Sequence, residues 1–425
     1  MKISDLSPEI LKIGRETEER IRPQFGRIDD TAFVNTKKVV DAFREYRVSE
    51  ACFAGTTGYG YDDLGRDTLD KVYARVFGSE AALVRTTFVN GTHALTAALF
   101  ALAAPGETIL SVTGNPYDTL RQAIGLEGEG FGSLRFYGIR YAQTELLPDG
   151  TPDFGSIREA LERIRPKAVI LQRSRGYEDR KALSVEEIAE ICSLVKGLDP
   201  SVLVMVDNCY GEFTQTLEPT EVGVDLIAGS LIKNPGGGLA PTGGYIAGKK
   251  ELVDRAAARL TSPGIGRECG STNGMNRLLY QGLFMAPHTV VQALKTALFC
   301  AGMMEALGFE TSPRVDEIRP DIIQMIRLET ADNMKAFCAG IQAGAAVDSY
   351  VTPEPWQMPG YDCPIIMAAG AFIQGSSIEL SADGPFREPY RIYMQGGLTY
   401  ESGKLGVMMA AERLLALRKI REELS

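Results

Sequence analysis

Leu203-Val204-Met205-Val206-Asp207-Asn208 is followed further along the chain by Leu226-Ile227-Ala228-Gly229-Ser230-Leu231-Ile232-Lys233-Asn234-Pro235-Gly236-Gly237-Gly238. The first stretch is an apolar run that ends in an acid. The second is an apolar run that ends in a small-residue turn carrying one lysine. Together they read as two neighbouring strand ends, able to aim a carboxylate and an amine at one point.

Working outward, short apolar, β-branched runs recur at Ala81–Val89, Thr108–Val112, Ala168–Leu171 and Gly244–Ala247. Helical stretches lie between several of them, at Ala94–Ala104, Thr119–Gly125, Ile157–Ile164 and Val185–Val195. Strands alternating with helices predict an α/β fold with a mainly parallel central sheet covered on both faces. Ligands on such sheets bind beyond the carboxyl ends of the strands, where Asp207 and Lys233 both fall. Residues 1–50 read as a helical arm, and a Gly-, Tyr- and Thr-rich loop runs from Gly55 to Gly65. After about Pro287 the pattern changes to a smaller α+β domain. Its expected helices lie at Thr289–Leu307, Asp316–Gln342 and Ser402–Glu422. Its expected strands lie at Ala346–Val351, Ile365–Ile373, Ser377–Ser381 and Tyr390–Met394. The expected division is therefore an arm (1–50), a large domain (51–285) and a small C-terminal domain (286–425).

The 425 residues suffice for a sizeable core, and 44% hydrophobic with 24% charged residues is ordinary for a globular protein. A net charge of −10 argues against nucleic acid or an anionic membrane as the main partner. The seven cysteines are dispersed, with neither a disulfide framework nor zinc spacing, and the two histidines, His93 and His288, belong to no metal-like cluster. The charged N-terminus lacks a signal-peptide core, and the longest apolar stretch, near Pro364–Ile373, is too short to span a bilayer. A cytoplasmic protein without a metal is expected.

An amine and a carboxylate aimed at one ring suit pyridoxal phosphate, which needs a lysine for its Schiff base and an acid to keep its pyridine nitrogen protonated. Lys233 and Asp207 take those roles. Asn90-Gly91-Thr92-His93-Ala94 follows a strand-like run and opens a helix, so Gly91 and Thr92 suit the cofactor phosphate. Ser230 adds a hydroxyl there, and His93 stacks on or bonds near the ring. Tyr117, at another strand end, is the residue expected to stack on the pyridine. Tyr59 and Tyr61 sit in the glycine-rich loop, where one of them reaches a phosphate or substrate, in this or a neighbouring subunit. Arg391 suits a substrate carboxylate. Arg173, in the arginine-rich turn Arg173-Ser174-Arg175, is a further candidate to bind an anionic ligand.

Nearly the whole chain resembles fold-type-I pyridoxal phosphate enzymes. Within them it resembles the family named for aluminium resistance, related to methionine gamma-lyase and cystathionine beta-lyase. The resemblance is most specific over Asp207–Asn273, and extends to Gln172–Tyr177, Gln374–Ala382 and Tyr393–Tyr400. It implies Lys233 as the cofactor lysine, Asp207 as the acid on the pyridine nitrogen, Gly91 and Thr92 as the phosphate turn, and Tyr117 as the stacking tyrosine. It further implies Ser230 as a phosphate hydroxyl, Tyr61 as a tyrosine contributed across a dimer, and Arg391 as the carboxylate-binding arginine. The chain departs from the better-known lyases at Ile232, where a hydroxyl residue is usual, at Arg173–Arg175, where an asparagine is usual, and at Asp63, where an arginine is expected. The implied activity is elimination of a thiol from a sulfur-containing amino acid, giving a keto acid and ammonia, in a homodimer or homotetramer with shared sites. Aminotransferase, decarboxylase or racemase chemistry, and cofactor binding without catalysis, stay open as alternatives.

Overall fold

Seven strands form the central sheet of the computed structural model, which describes residues 6–424 apart from 129, 359 and 360. They are β1 (Ala81–Arg85), β2 (Thr108–Ser111), β3 (Arg140–Gln143), β4 (Ala168–Gln172), β5 (Leu203–Asp207), β6 (Leu226–Ser230) and β7 (Gly244–Gly248). Across the sheet their order is β1-β7-β6-β5-β4-β2-β3. The run from β6 to β3 is parallel throughout, and only β7 is antiparallel to its two neighbours. β1, β4, β6 and β7 are buried along their whole length, which is why they read as continuous apolar runs. Edge strand β3 is exposed or half-buried at every position and carries no such signal.

The strands are connected largely through helices. α1 (Pro8–Glu45) and α2 (Leu64–Val76) precede the sheet; α3 (Gly91–Leu102), α4 (Asp118–Ile124), α5 (Phe154–Ile164), α6 (Val185–Leu198) and α7 (Lys250–Leu260) are interleaved with its strands or come after them. Ala94, Leu95, Ala98 and Leu99 of α3 and Val253, Ala256 and Ala257 of α7 pack in one apolar cluster with Leu83, Ile109, Met205, Ala228 and Ile246 of the sheet. The register sets Gln172 beside Asp207, and Asp207 beside Ala228. The carboxyl ends of β4, β5 and β6 therefore stand almost level, and the loops that leave them emerge along one edge.

The chain divides into two compact units, Val34–Ala286 and the N-terminal residues through Phe33 with Pro287 onward. The segment expected as an arm is the single helix α1, and the division falls within it. α8 (Asn276–Ala306) begins in the first unit, and the second continues from it with β8 (Glu310–Ser312), β9 (Gln324–Arg327), α9 (Ala331–Ala343), β10 (Ile365–Ala369), β11 (Ser381–Pro385), β12 (Arg391–Gln395) and α10 (Tyr400–Leu424). Its five strands form an antiparallel sheet ordered β10-β11-β12-β9-β8.

Several sequence expectations fail here for identifiable reasons. The helix expected over 316–342 is instead β9 followed by α9. Gln324–Arg327 pairs with strands on both sides, and Thr330 caps α9 by accepting the Asn333 N–H at 3.2 Å. The strand expected at Ala346–Val351 is a series of turns, and the one expected at Ser377–Ser381 lies at Ser381–Pro385. α8 begins well before Pro287 and passes through it, although proline usually ends a helix. It is also the longer apolar segment: Asn276–Ala306 has the length and hydropathy to cross a membrane, but 72% of its most apolar window is buried within the protein, as in a core helix.

Candidate active site

The first part of the site is the turn from β1 into α3. Asn90 caps the helix, its Oδ1 accepting the His93 N–H at 2.9 Å. The first amides of any helix lack intrahelical partners, so those of Gly91 and Thr92 are available to an anion. A Cβ on Gly91 would stand 3.2 Å from the Ser230 Cβ, so glycine is what lets α3 approach the end of β6 this closely. Thr92 Oγ1 accepts the Tyr117 hydroxyl at 3.1 Å and lies 3.1 Å from Thr119 Oγ1. His93 is turned to its own loop: its Nδ1 accepts the Val89 N–H at 3.3 Å and its ring meets Phe88 edge-on. Burial, with help from Arg259, lowers its pKa and favours neutral imidazole.

The second part is the pair of strand ends. Asp207 closes β5 and is 8% exposed. Its Oδ1 accepts the Cys209 N–H at 3.1 Å. Burial pushes its pKa up, while the Lys233 charge pulls it back down. Lys233 comes after β6 and is half-buried, its Nζ 4.0 Å from the centroid of the Tyr210 ring. Burial alone would lower the pKa of this amine, but Cys209, Tyr210, Asp207 and Tyr117 outweigh it and raise the pKa well above the ordinary lysine value. Tyr117 is held by its N–H, which donates to Gln172 Oε1 at 3.3 Å. Its phenol is raised by burial and by Asp207. Asp207, Lys233 and Tyr117 thus act electrostatically on one another, and Ser230 ends the strand that leads to Lys233.

Tyr210 joins the site without having stood out in the sequence. It adopts a left-handed backbone, φ 73°, rare for an aromatic residue. Its only sequence signal is membership of the run Asp207–Phe213 behind the strand end.

Arg173 does not join this group. It is 0% exposed, and its guanidinium donates to Asn208 Oδ1 at 2.8 Å, Thr214 Oγ1 at 3.2 Å and Gln215 Oε1 at 3.3 Å, with Glu218 at 3.6 Å. With its charge answered inside the protein, it is a structural ion pair rather than an anion receptor. Tyr59 and Tyr61 stand 75% and 59% exposed, with their rings stacked at 5.7 Å. Their loop is held firmly. Asp63 accepts from Thr56, Thr272 and Asn276, and buried Arg66 donates to the carbonyls of Gly60, Gly270 and Glu268. Arg391 belongs to the second unit, where it opens β12 and is half-buried. Among the described residues, no group of three His, Cys, Asp or Glu side chains could hold a metal ion.

A mainly parallel sheet with a lysine and an acid at adjacent strand ends, and a helix start beside them, is the arrangement of the class of fold-type-I pyridoxal phosphate enzymes. A pyridoxal-5'-phosphate dependent protein of Escherichia coli, YhfS, shares the fold at 16% identity with a TM-score of 0.62, covering 92% of this chain and 97% of its own. Residues 10–415 match the family described as Methionine gamma-lyase, and the chain belongs to that family. A carbon-sulfur lyase involved in aluminum resistance from Clostridium novyi is 52% identical with a TM-score of 0.93, covering 96% of this chain and 97% of its own. The uncharacterised Bacillus subtilis protein YnbB is 47% identical over 95% of this chain and 96% of its own.

The burial of Arg173 has a measurable consequence. Arg173→Ala leaves Glu218 buried without its cation, and chemical denaturation is expected to show a stability loss of about 3–5 kcal/mol. An unchanged midpoint would contradict the structural assignment.

Proposed function

We propose that Lys233, Asp207, Tyr117 and the Asn90–His93 turn hold pyridoxal phosphate in this carbon–sulfur lyase. The observation that carries the reading is that Asp207, the turn to Lys233, and Tyr117 held on Gln172 come together at the ends of adjacent strands, beside a helix start that reaches Ser230 through Gly91. The residues fit the group. Asp207 is a carboxylate pushed up by burial, and a protonated pyridine nitrogen would give it a permanent cationic partner. The amides of Gly91 and Thr92, with the Ser230 hydroxyl, would hold the phosphate, and the Tyr117 ring would cover the pyridine. Arg391 would take the substrate carboxylate and Tyr59 a further part of the substrate.

When bound, the cofactor supplies an electron sink for negative charge on the substrate α-carbon. The protein supplies the rest. Lys233 Nζ, once free of the cofactor, takes the α-proton as general base. Tyr210 keeps that amine close to where it acts when it carries the proton. Thr92 fixes the Tyr117 hydroxyl, so the stacking ring cannot swing away. Loss of a thiol from a sulfur-containing amino acid then yields, after hydrolysis, a keto acid and ammonia. We infer a cytoplasmic homodimer or homotetramer, in which Tyr61 on its exposed loop reaches the phosphate of a second copy. Its support is a rigid loop presenting exposed aromatic rings.

The purified protein is expected to release thiol, ammonia and keto acid in equal amounts from a sulfur amino acid, and Lys233→Ala to reduce this to background. Full turnover by that variant, or release of carbon dioxide or a new amino acid in place of thiol, would contradict the reading. Equilibrium sedimentation is expected to find an assembly; a fully active monomer would remove the role given to Tyr61.

A further inference from the structure

Near Lys233 lies a second acid for which the proposed chemistry has no use. Glu212, in the loop after β5, is completely buried. Its Oε1 accepts the Tyr245 hydroxyl at 2.8 Å, while its Oε2 is buried with no hydrogen-bond partner. Its backbone carbonyl accepts from Asn234 Nδ2 at 3.0 Å, tying it to the residue after Lys233. Asn234 Oδ1 is another buried acceptor without a donor. Glycine at 229 makes room for this pair, because a Cβ there would lie 2.7 Å from Glu212 Oε1 and 2.6 Å from Tyr245 Cε1.

The groups around it do not neutralise a charge. Tyr245 on β7 and Tyr73 on α2 are neutral phenols, both pushed up by burial and by Glu212 itself. Glu218 is a second carboxyl, already engaged by Arg173, Asn208 and the Phe213 N–H. Burial and Glu218 push the pKa of Glu212 up, and the opposing pull of Lys233 is shared with Asp207. Among the described residues no ion pair reaches Glu212. An ionised carboxylate so placed is strongly disfavoured, and a neutral acid far less so.

We propose that Glu212 is carried as a carboxylic acid with its proton on Oε2, and that this proton favours cofactor loading by leaving Lys233 no second carboxylate to hold it as ammonium. The second half of the proposal rests on the role given above to Lys233; the first does not. Glu212 is a positioning residue, acting through Asn234 and Lys233. Burial pushes its pKa up to about 8, against the pull of backbone N–H and Tyr245. Below that range the acid is neutral and adds no negative charge to that which Asp207 sets against Lys233. Above it a second negative charge holds the ammonium and disfavours attachment of the cofactor.

The effect on stability has a definite sign. A carboxyl whose folded pKa is raised binds more protons folded than unfolded, so stability is present on the acid side and lost as pH rises through about 8. The test measures thermal unfolding of apoprotein, and pyridoxal phosphate affinity by absorbance, from about pH 6 to 9. Wild type is expected to lose stability and several-fold in affinity across this range. E212Q, which keeps the shape and cannot ionise, is expected to lose neither, and to lack a protonated-carboxyl band seen in the infrared spectrum of wild type. Y245F, which removes a donor favouring the ionised form, is expected to keep that band to higher pH. Parallel stability curves for wild type and E212Q, or a band unmoved in Y245F should E212Q not fold, would overturn the proton assignment whatever the cofactor does. Diverging stability curves with identical cofactor profiles would overturn the link to Lys233. Failure of the wild type to take up pyridoxal phosphate would sink that link together with the proposed function, while the apoprotein curves still decide the proton.

Discussion

A carboxylate taken out of water must find a cation, and Asp207 is the carboxylate on which this structure turns. Burial at the end of β5 drives its pKa up, and the charge of Lys233 pulls against it. The parallel sheet makes this pairing possible. Because β4, β5 and β6 are in register, their carboxyl ends deliver Gln172, Asp207 and the turn to Lys233 along one edge. The same geometry brings the start of α3 against Ser230, at a spacing that glycine at position 91 permits. Fold and site thus share one cause. Strands buried on both faces can expose polar groups only at their ends, so chemistry collects there.

The central sheet is legible in the sequence because its inner strands are continuous apolar runs separated by helices. Ala168–Leu171 and Leu203–Val206 allow little else. The elements that escape are those with a mixed pattern. β3, Arg140–Gln143, lies at the edge and buries none of its residues fully. β9 is only Gln324–Arg327, too short to show a period of two before α9 begins. β11, Ser381–Pro385, contains glycine and proline and lies four residues beyond its expected start. Pro287 reads as a break, yet α8 runs through it.

The same division applies at the site. Lys233, Asp207 and Tyr117, the residues proposed to hold the cofactor, can be singled out because each comes at or after a strand end, a position that sequence can specify. Arg173 misleads for a reason that sequence cannot supply: side-chain direction. It stands directly after β4, much as Asp207 closes β5, but its guanidinium turns inward to Glu218 and Asn208. Tyr210 and Glu212 give no sign in the sequence of where their side chains lie, although both fall in the run Asp207–Phe213. The left-handed backbone at Tyr210 and the enclosed carboxyl of Glu212 arise from a sharp turn between strand and loop, which no periodicity announces. The expectation implied by the family resemblance and the strand-end reading fall on the same lysine.

That lysine is where the account is most exposed. Reduction of the holoprotein with borohydride would fix the cofactor to whichever amine holds it, and peptide mapping would then locate it. The account predicts a pyridoxyl label on the peptide containing Lys233. A label on another lysine, or no label on holoprotein carrying cofactor, would contradict it.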